Sequence, residues 1–177
     1  MTVRCFVDAS VLLRARDARD PLKQTRAAEW LDRLWQQRSG RTSVQVLSEF
    51  YVLATRGTPG VAEDLAWDEV CRYLTWLPQE TNEQLLQRAR DLERRHRLPW
   101  WDATVVAAAL LQDCLILLTD QMPDGTVFGA LAVRSPYSPV LEEPSAGYSV
   151  RRAEPLHRPR GRPRTARASS ARGPRAP

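Results

Sequence analysis

Two short apolar runs in this chain each lead straight into a carboxylate. Cys5-Phe6-Val7 ends at Asp8, and Cys114 through Leu118 passes Thr119 to end at Asp120. Runs of this length, apolar on both faces, fit strands buried inside a parallel sheet. Helical patterns lie between them. SVLLRARD begins one after Asp8, and Pro21 opens another, in which Ala27, Trp30, Leu31, Leu34 and Trp35 recur at helical spacing until Ser39-Gly40. After a short extended lead at Thr42, VQVLSEFYVLATR continues as a helix to Gly57, and Pro59 and Gly60 mark a loop. Leu65, Val70, Tyr73 and Leu74 repeat helically, a short strand is expected around Trp76 and Leu77, and Asn82 caps a helix reaching about Arg95. Beyond Pro99, WWDATVVAAALLQ reads as a helix, Pro123 to Gly125 as a turn, and ALAVRSPY as a last strand.

Strands alternating with helices predict an α/β fold with a mainly parallel sheet and helices on both faces. Ligands of such sheets bind beyond the carboxyl ends of the strands, which is where Asp8 and Asp120 fall. No GxGxxG or GxxxxGK[ST] loop is present, which argues against nucleotide binding by those routes.

The 177 residues suit one domain and a tail. No apolar run approaches the roughly 18 residues of a membrane span. The start, MTVRCFVDAS, carries no secretory apolar region, so a cytoplasmic protein is expected. Cys5, Cys71 and Cys114 form no CxxC pair and read as reduced, mostly core thiols. The two histidines, His96 and His157, leave little for a His-based relay, so any chemistry must rest mainly on carboxylates. The net charge of +5 is misleading. Residues 151–177 carry nine Arg and one acid, whereas residues 1–150 hold 17 basic and 20 acidic side chains. The basic character therefore belongs to an Arg/Pro-rich tail that cannot bury enough surface to order, with a linker at 138–150 and the folded domain at 1–137. An electrostatic RNA-binding arm is the functional alternative for that tail.

Four acids stand in unusual places. Asp8 and Asp120 end the apolar runs. Glu49 has Val46, Val52 and Leu53 at i−3, i+3 and i+4, which puts it on or beside an apolar stripe. Asp102 has Val105, Val106 and Ala109 at i+3, i+4 and i+7. Each has a bland alternative: a helix cap for Asp8 and Asp102, a stripe-edge position for Glu49, a turn for Asp120. Asp124, within Pro-Asp-Gly, reads as a turn residue. In the expected α/β fold, Asp8 and Asp120 would point to one edge of the sheet, and Glu49 and Asp102 can approach that edge from flanking helices. Two carboxylates about 4 Å apart repel by roughly 4 kcal/mol at an effective dielectric of about 20, so such a cluster calls for protons or a cation. With all-oxygen ligands and almost no His, Mg²⁺ or Mn²⁺ is the expected ion.

At these residues the chain resembles the PIN-domain family, and within it the VapC-type toxins. The resemblance runs from about Val3 to Tyr137. It rests on FVDAS with VLL behind it, SVQVLSEFYV followed by TR, LPWWDATVVAAAL, and CLILLTDQMPDG followed by LAVRSPY, matched in order and spacing. It implies a PIN-like α/β/α sandwich with a mainly parallel central sheet. Asp8 matches the first family acid, Glu49 the second and Asp102 the third. Family members commonly read Thr-Glu-Asp or Thr-x-Asp after the strand, whereas this chain reads Thr119-Asp120-Gln121, so the fourth acid is Asp120, a shifted residue, or missing. Ser10 stands where an Asn is frequent.

The resemblance implies a Mg²⁺- or Mn²⁺-dependent endoribonuclease, the toxin of a type II toxin–antitoxin pair, leaving 5′-phosphate and 3′-hydroxyl ends. Asp8, Glu49, Asp102 and Asp120 would hold one or two ions, and Ser10 or Thr119 would position the attacking water. RNA, an antitoxin protein and a second copy of the chain are the expected partners, and no membrane. Trp100-Trp101 is a candidate surface for the antitoxin, with core packing as its alternative. The rival to the nuclease is a PIN-like RNA- or partner-binding regulatory module with a degraded catalytic site, suggested by Gln121 and Ser10. A phosphatase of the haloacid-dehalogenase kind would need a second Asp where Ser10 stands.

Overall fold

Four of the helices begin at a side-chain cap. In the computed structural model, which describes residues 2–57 and 61–138, Asp8 caps α1 (Ala9–Arg14), and Asp20 caps α2 (Pro21–Gln37), accepting from the Lys23 N–H at 3.1 Å. Ser43 caps α3 (Val44–Arg56) and Asn82 caps α5 (Glu83–His96), each accepting from the backbone N–H three residues on. These side chains satisfy N–H groups that the first helical turn leaves unpaired. Neither α4 (Glu63–Leu74) nor α6 (Trp100–Leu111) has a side-chain cap bond; Pro99 precedes α6, where the chain must turn in any case.

The strands are short: β1 (Cys5–Val7), β2 (Gly40–Arg41), β3 (Ile116–Leu118), β4 (Val127–Phe128) and β5 (Leu131–Arg134). Their order across the sheet is β2-β1-β3-β5-β4. All pairs are parallel except β4 with β5. This is the expected α/β fold with a mainly parallel sheet. The chain leaves β1 toward β2 on one side and later returns across β1 to β3 on the other. With right-handed crossovers, those two paths place their helices on opposite faces. The sheet core is Phe6, Leu117, Leu118 and Leu131, and Leu12 and Phe50 pack over it from α1 and α3.

Several expectations need correcting. No strand forms at Trp76 and Leu77. Their N–H groups bond back to Tyr73 and Leu74 at the end of α4, so neither is free for a ladder. Leu77 takes a positive φ of 54° and is exposed, and the strand-like contact shifts to a single bridge between Gln79 and Ser43. The buried face of α4 is Ala66, Glu69, Val70 and Tyr73, while Leu65 and Leu74 face solvent. Cys5 and Cys114 are core thiols, but Cys71 is exposed. The β4–β5 hairpin was not anticipated; it turns at Gly129, whose φ of 65° suits glycine. The loop at Pro59 and Gly60, the rest of the linker and the Arg-rich tail lie outside the described residues. Among the described residues no helix is long and apolar enough to cross a membrane.

Candidate active site

The order β2-β1-β3 makes the carboxyl ends of β1 and β3 the place where the chain's crossovers part, and such a switch point opens a crevice. Val7 is in register with Leu118. The residues that follow, Asp8 and Thr119, therefore emerge side by side. The Asp8 N–H bonds to the Leu118 carbonyl at 3.1 Å, and the Thr119 N–H to the Arg134 carbonyl at 3.0 Å.

Asp8 is buried, only 7% exposed. Its Oδ1 accepts from the Ala9 N–H at 2.8 Å; its Oδ2 accepts from Thr119 Oγ1 at 2.7 Å and Ser10 Oγ at 3.0 Å. Three of about four acceptor positions are thus filled, which leaves room for one more donor or a cation on Oδ1. Burial pushes this carboxyl above the usual carboxylate range; the Thr119 and Ser10 hydroxyls and the Ala9 N–H pull it back, and the charge of Asp120 pushes it up again. Thr119 is fully buried, and its oxygen also accepts from the Gln121 N–H at 3.1 Å. Both hydroxyls assigned to a water by the sequence thus act on Asp8, and Thr119 has no exposed surface on which to hold one.

Glu49 sits on α3 beside its buried stripe of Val46, Phe50 and Ala54 and is itself exposed, with Val52 and Leu53. Its carboxyl is raised by partial burial, then by the charges of Asp8 and Asp102. Asp102, half-buried in the first turn of α6, is raised by burial and then by Asp8. The rest of that helix is buried from Ala103 to Ala109, so its solvent-facing start is what brings an acid to the sheet edge. Asp8, Glu49 and Asp102 therefore oppose one another electrostatically.

Asp120 is held differently. Its Oδ1 accepts from Gln121 Nε2 at 2.8 Å, its Oδ2 accepts from the Tyr137 hydroxyl at 3.4 Å, and Arg14 Nε stands 3.6 Å away. Burial and the Asp120 charge push Tyr137 up to about 12. Sequence reasoning did not single out Tyr137 or Arg14, although LAVRSPY was one of the matched stretches and Arg14 directly follows VLL. Asp124 serves the turn, accepting from the Ser135 N–H and the Ser138 hydroxyl, each at 2.8 Å.

A cavity of about 690 Å³ opens over this edge, lined by Asp8, Ser10, Glu49, Asp120 and Gln121, and by Arg14 beside Asp120. Asp102 is not among its lining residues and is coupled to the group through the charges of Asp8 and Glu49. Among the described residues no three His, Cys, Asp or Glu side chains lie close enough together to hold one metal ion. By chemistry the donors fit Mg²⁺ or Mn²⁺: all are oxygen, and the acids raise one another's pKa, which a hard cation relieves. Of Trp100-Trp101, Trp100 packs on the core and Trp101 is 66% exposed.

Residues 5–123 match the family model described as PIN domain. The chain resembles a solved toxin–antitoxin complex from Klebsiella pneumoniae, with 18% identity over 75% of this chain and 98% of that one and a TM-score of 0.56. It also resembles VapC20 of Mycobacterium tuberculosis, a sarcin-ricin loop cleaving toxin, with 22% identity over 64% of this chain and 86% of that one and a TM-score of 0.49. No curated protein matches it.

Proposed function

This chain belongs to the PIN domain family, and on that premise we propose that it is a Mg²⁺- or Mn²⁺-dependent endoribonuclease, the toxin of a type II toxin–antitoxin pair. The observation that carries this reading is the trio Asp8, Glu49 and Asp102, mutually repelling at the switch point of a parallel sheet. Such an arrangement is costly without a cation and useful with one.

Asp8 is the anchor, since three donors fix its carboxylate and one acceptor position stays open. Glu49 and Asp102 lie on separate helices, too far apart to share one ion with Asp8 directly, and would complete the oxygen set through waters. A bound divalent cation supplies Lewis acidity to a phosphoryl oxygen and acidifies a water for in-line attack. Thr119 and Ser10 keep Asp8 in one rotamer. Asp120 stands to the side, tied to Tyr137, Gln121 and Arg14, and acts as a positioning acid. The expected products carry 5′-phosphate and 3′-hydroxyl ends, and the expected setting is the cytoplasm. The likeness to a chain from a toxin–antitoxin complex supports an antitoxin as partner, and a second copy of this chain belongs to the same reading.

The test is cleavage of a mixed RNA pool by the purified, partner-free chain with Mg²⁺ or Mn²⁺. Cleavage should vanish with EDTA and in Asp8→Asn. The separation of the acids and the Gln121 departure favour one second reading, a binding module with a degraded site. Mn²⁺ binding without cleavage by the folded wild type would select it.

A further inference from the structure

Part of the cavity wall comes from the end of α1 and its connection to α2, and it carries Arg14, Arg16 and Arg19 with Asp17 among them. Arg16 is engaged with the buried Glu69. The other two converge on Asp17. Arg19 grips it bidentately, Nε to Oδ1 at 2.7 Å and Nη2 to Oδ2 at 2.9 Å, and the Arg19 N–H adds a third bond at 3.1 Å. Arg14 Nη1 reaches the same Oδ2 at 3.1 Å. The Asp17 side chain is 13% exposed, whereas those of Arg14 and Arg19 are 37% and 74% exposed. One shielded carboxylate thus holds two accessible guanidiniums on the lip of the acidic cavity.

We propose that Arg14 and Arg19, positioned by Asp17, form a clamp for a backbone phosphate of the RNA strand next to the one being cut. This rests on the ribonuclease reading and deepens it. A cation on the acids would engage the phosphate being cut, but the acids repel the rest of the polyanion, and this wall brings basic side chains to the same cavity. Each guanidinium has five N–H donors; Asp17 takes two from Arg19 and one from Arg14, and Arg14 Nε also faces Asp120 at 3.6 Å, which leaves three on each for phosphate oxygens. Holding both side chains in place beforehand removes rotamer entropy that binding would otherwise cost. A volume of about 690 Å³ is within the range of roughly 300–1,000 Å³ that admits a ligand of nucleotide size.

The test uses the full chain, a labelled single-stranded RNA of about ten mixed nucleotides, and anisotropy across a salt series. Asp8→Asn serves as the background that leaves the RNA uncut. Arg19→Gln should weaken binding roughly tenfold, and the slope of log affinity against log salt should become shallower by about 0.7. Arg26→Gln, an exposed α2 residue paired with Glu29, is the charge-matched control and should not change the slope. Asp17→Ala separates positioning from bulk charge. Simple electrostatics predicts tighter RNA binding when an acid is lost, whereas the clamp predicts weaker binding. In the cleaving enzyme Arg19→Gln should raise KM with kcat held within about twofold. If wild type cleaves but Arg19→Gln matches the Arg26 control, or Asp17→Ala binds more tightly, the clamp is wrong and the nuclease stands. If wild type cleaves no RNA with either metal, the nuclease reading falls and the clamp with it.

Discussion

Asp8 has two roles that compete for its oxygens, helix cap and candidate ligand, and its three donors show how both are met. Oδ1 takes the Ala9 N–H, and the two hydroxyls crowd onto Oδ2. Thr119→Val keeps the shape and removes the shortest of these bonds. It should cost about 1–3 kcal/mol, read by urea unfolding, because a buried carboxylate loses a donor. Acid dependence follows from the same residues. Asp8, Glu49 and Asp102 are all raised in the folded chain, so the native state holds their protons more tightly than the unfolded one. The stability they contribute is full below the ordinary carboxylate pKa of about 4 and is lost as pH rises through their folded values. Melts in EDTA should therefore show Tm falling from about pH 4 upward, with Asp8→Asn flattening the trend. Asp17, held at about 2 by the Arg19 side chain, and Asp124, lowered by the Ser135 N–H, act the other way, but only below that window. Asp120→Asn should lower kcat less than Asp8→Asn or Asp102→Asn, since its oxygens are already engaged by Tyr137, Gln121 and Arg14.

At the level of elements, what the chain order shows and what it hides divide along the range of the contacts involved. The caps Asp20, Ser43 and Asn82 are local chemistry; the helix opening at Pro21 was legible from its spacing and the one after Asn82 from its cap. Trp76 was misassigned because its fate is set at a distance. Its ring packs on Gly40 of β2, where an added Cβ would lie 2.5 Å from the ring. That contact replaces a strand with a buried indole, which also meets Trp35 at a tilt and Tyr73 edge to face. Gly40→Ala should cost about 1–3 kcal/mol by overpacking, seen as a lower urea midpoint at unchanged m-value. Glu69 was hidden for a like reason: it is buried on the face of α4, and Arg16, more than fifty positions away in sequence, neutralises it.

Across the whole molecule, the sheet order brings acids from β1, α3, α6 and the end of β3 toward one edge, and the balance there is electrostatic. Cation binding should therefore stabilise the fold by mass action, about 2.7 kcal/mol at a hundredfold excess over Kd. Mn²⁺ should raise Tm in the wild type and leave Asp8→Asn unmoved; an equal rise in both would mean diffuse screening instead of a site. The helices, the α/β class and the identity of Asp8, Glu49 and Asp102 as candidates follow from residue order, because hydrophobic periodicity and misplaced charge are local signals. The pairing of the Thr119 hydroxyl with Asp8, the tethering of Asp120 by Tyr137, and the arginine wall around Asp17 required the folded chain. Each joins groups through a strand register, a turn or a side-chain direction, and spacing along a sequence does not encode which donors meet across a sheet edge.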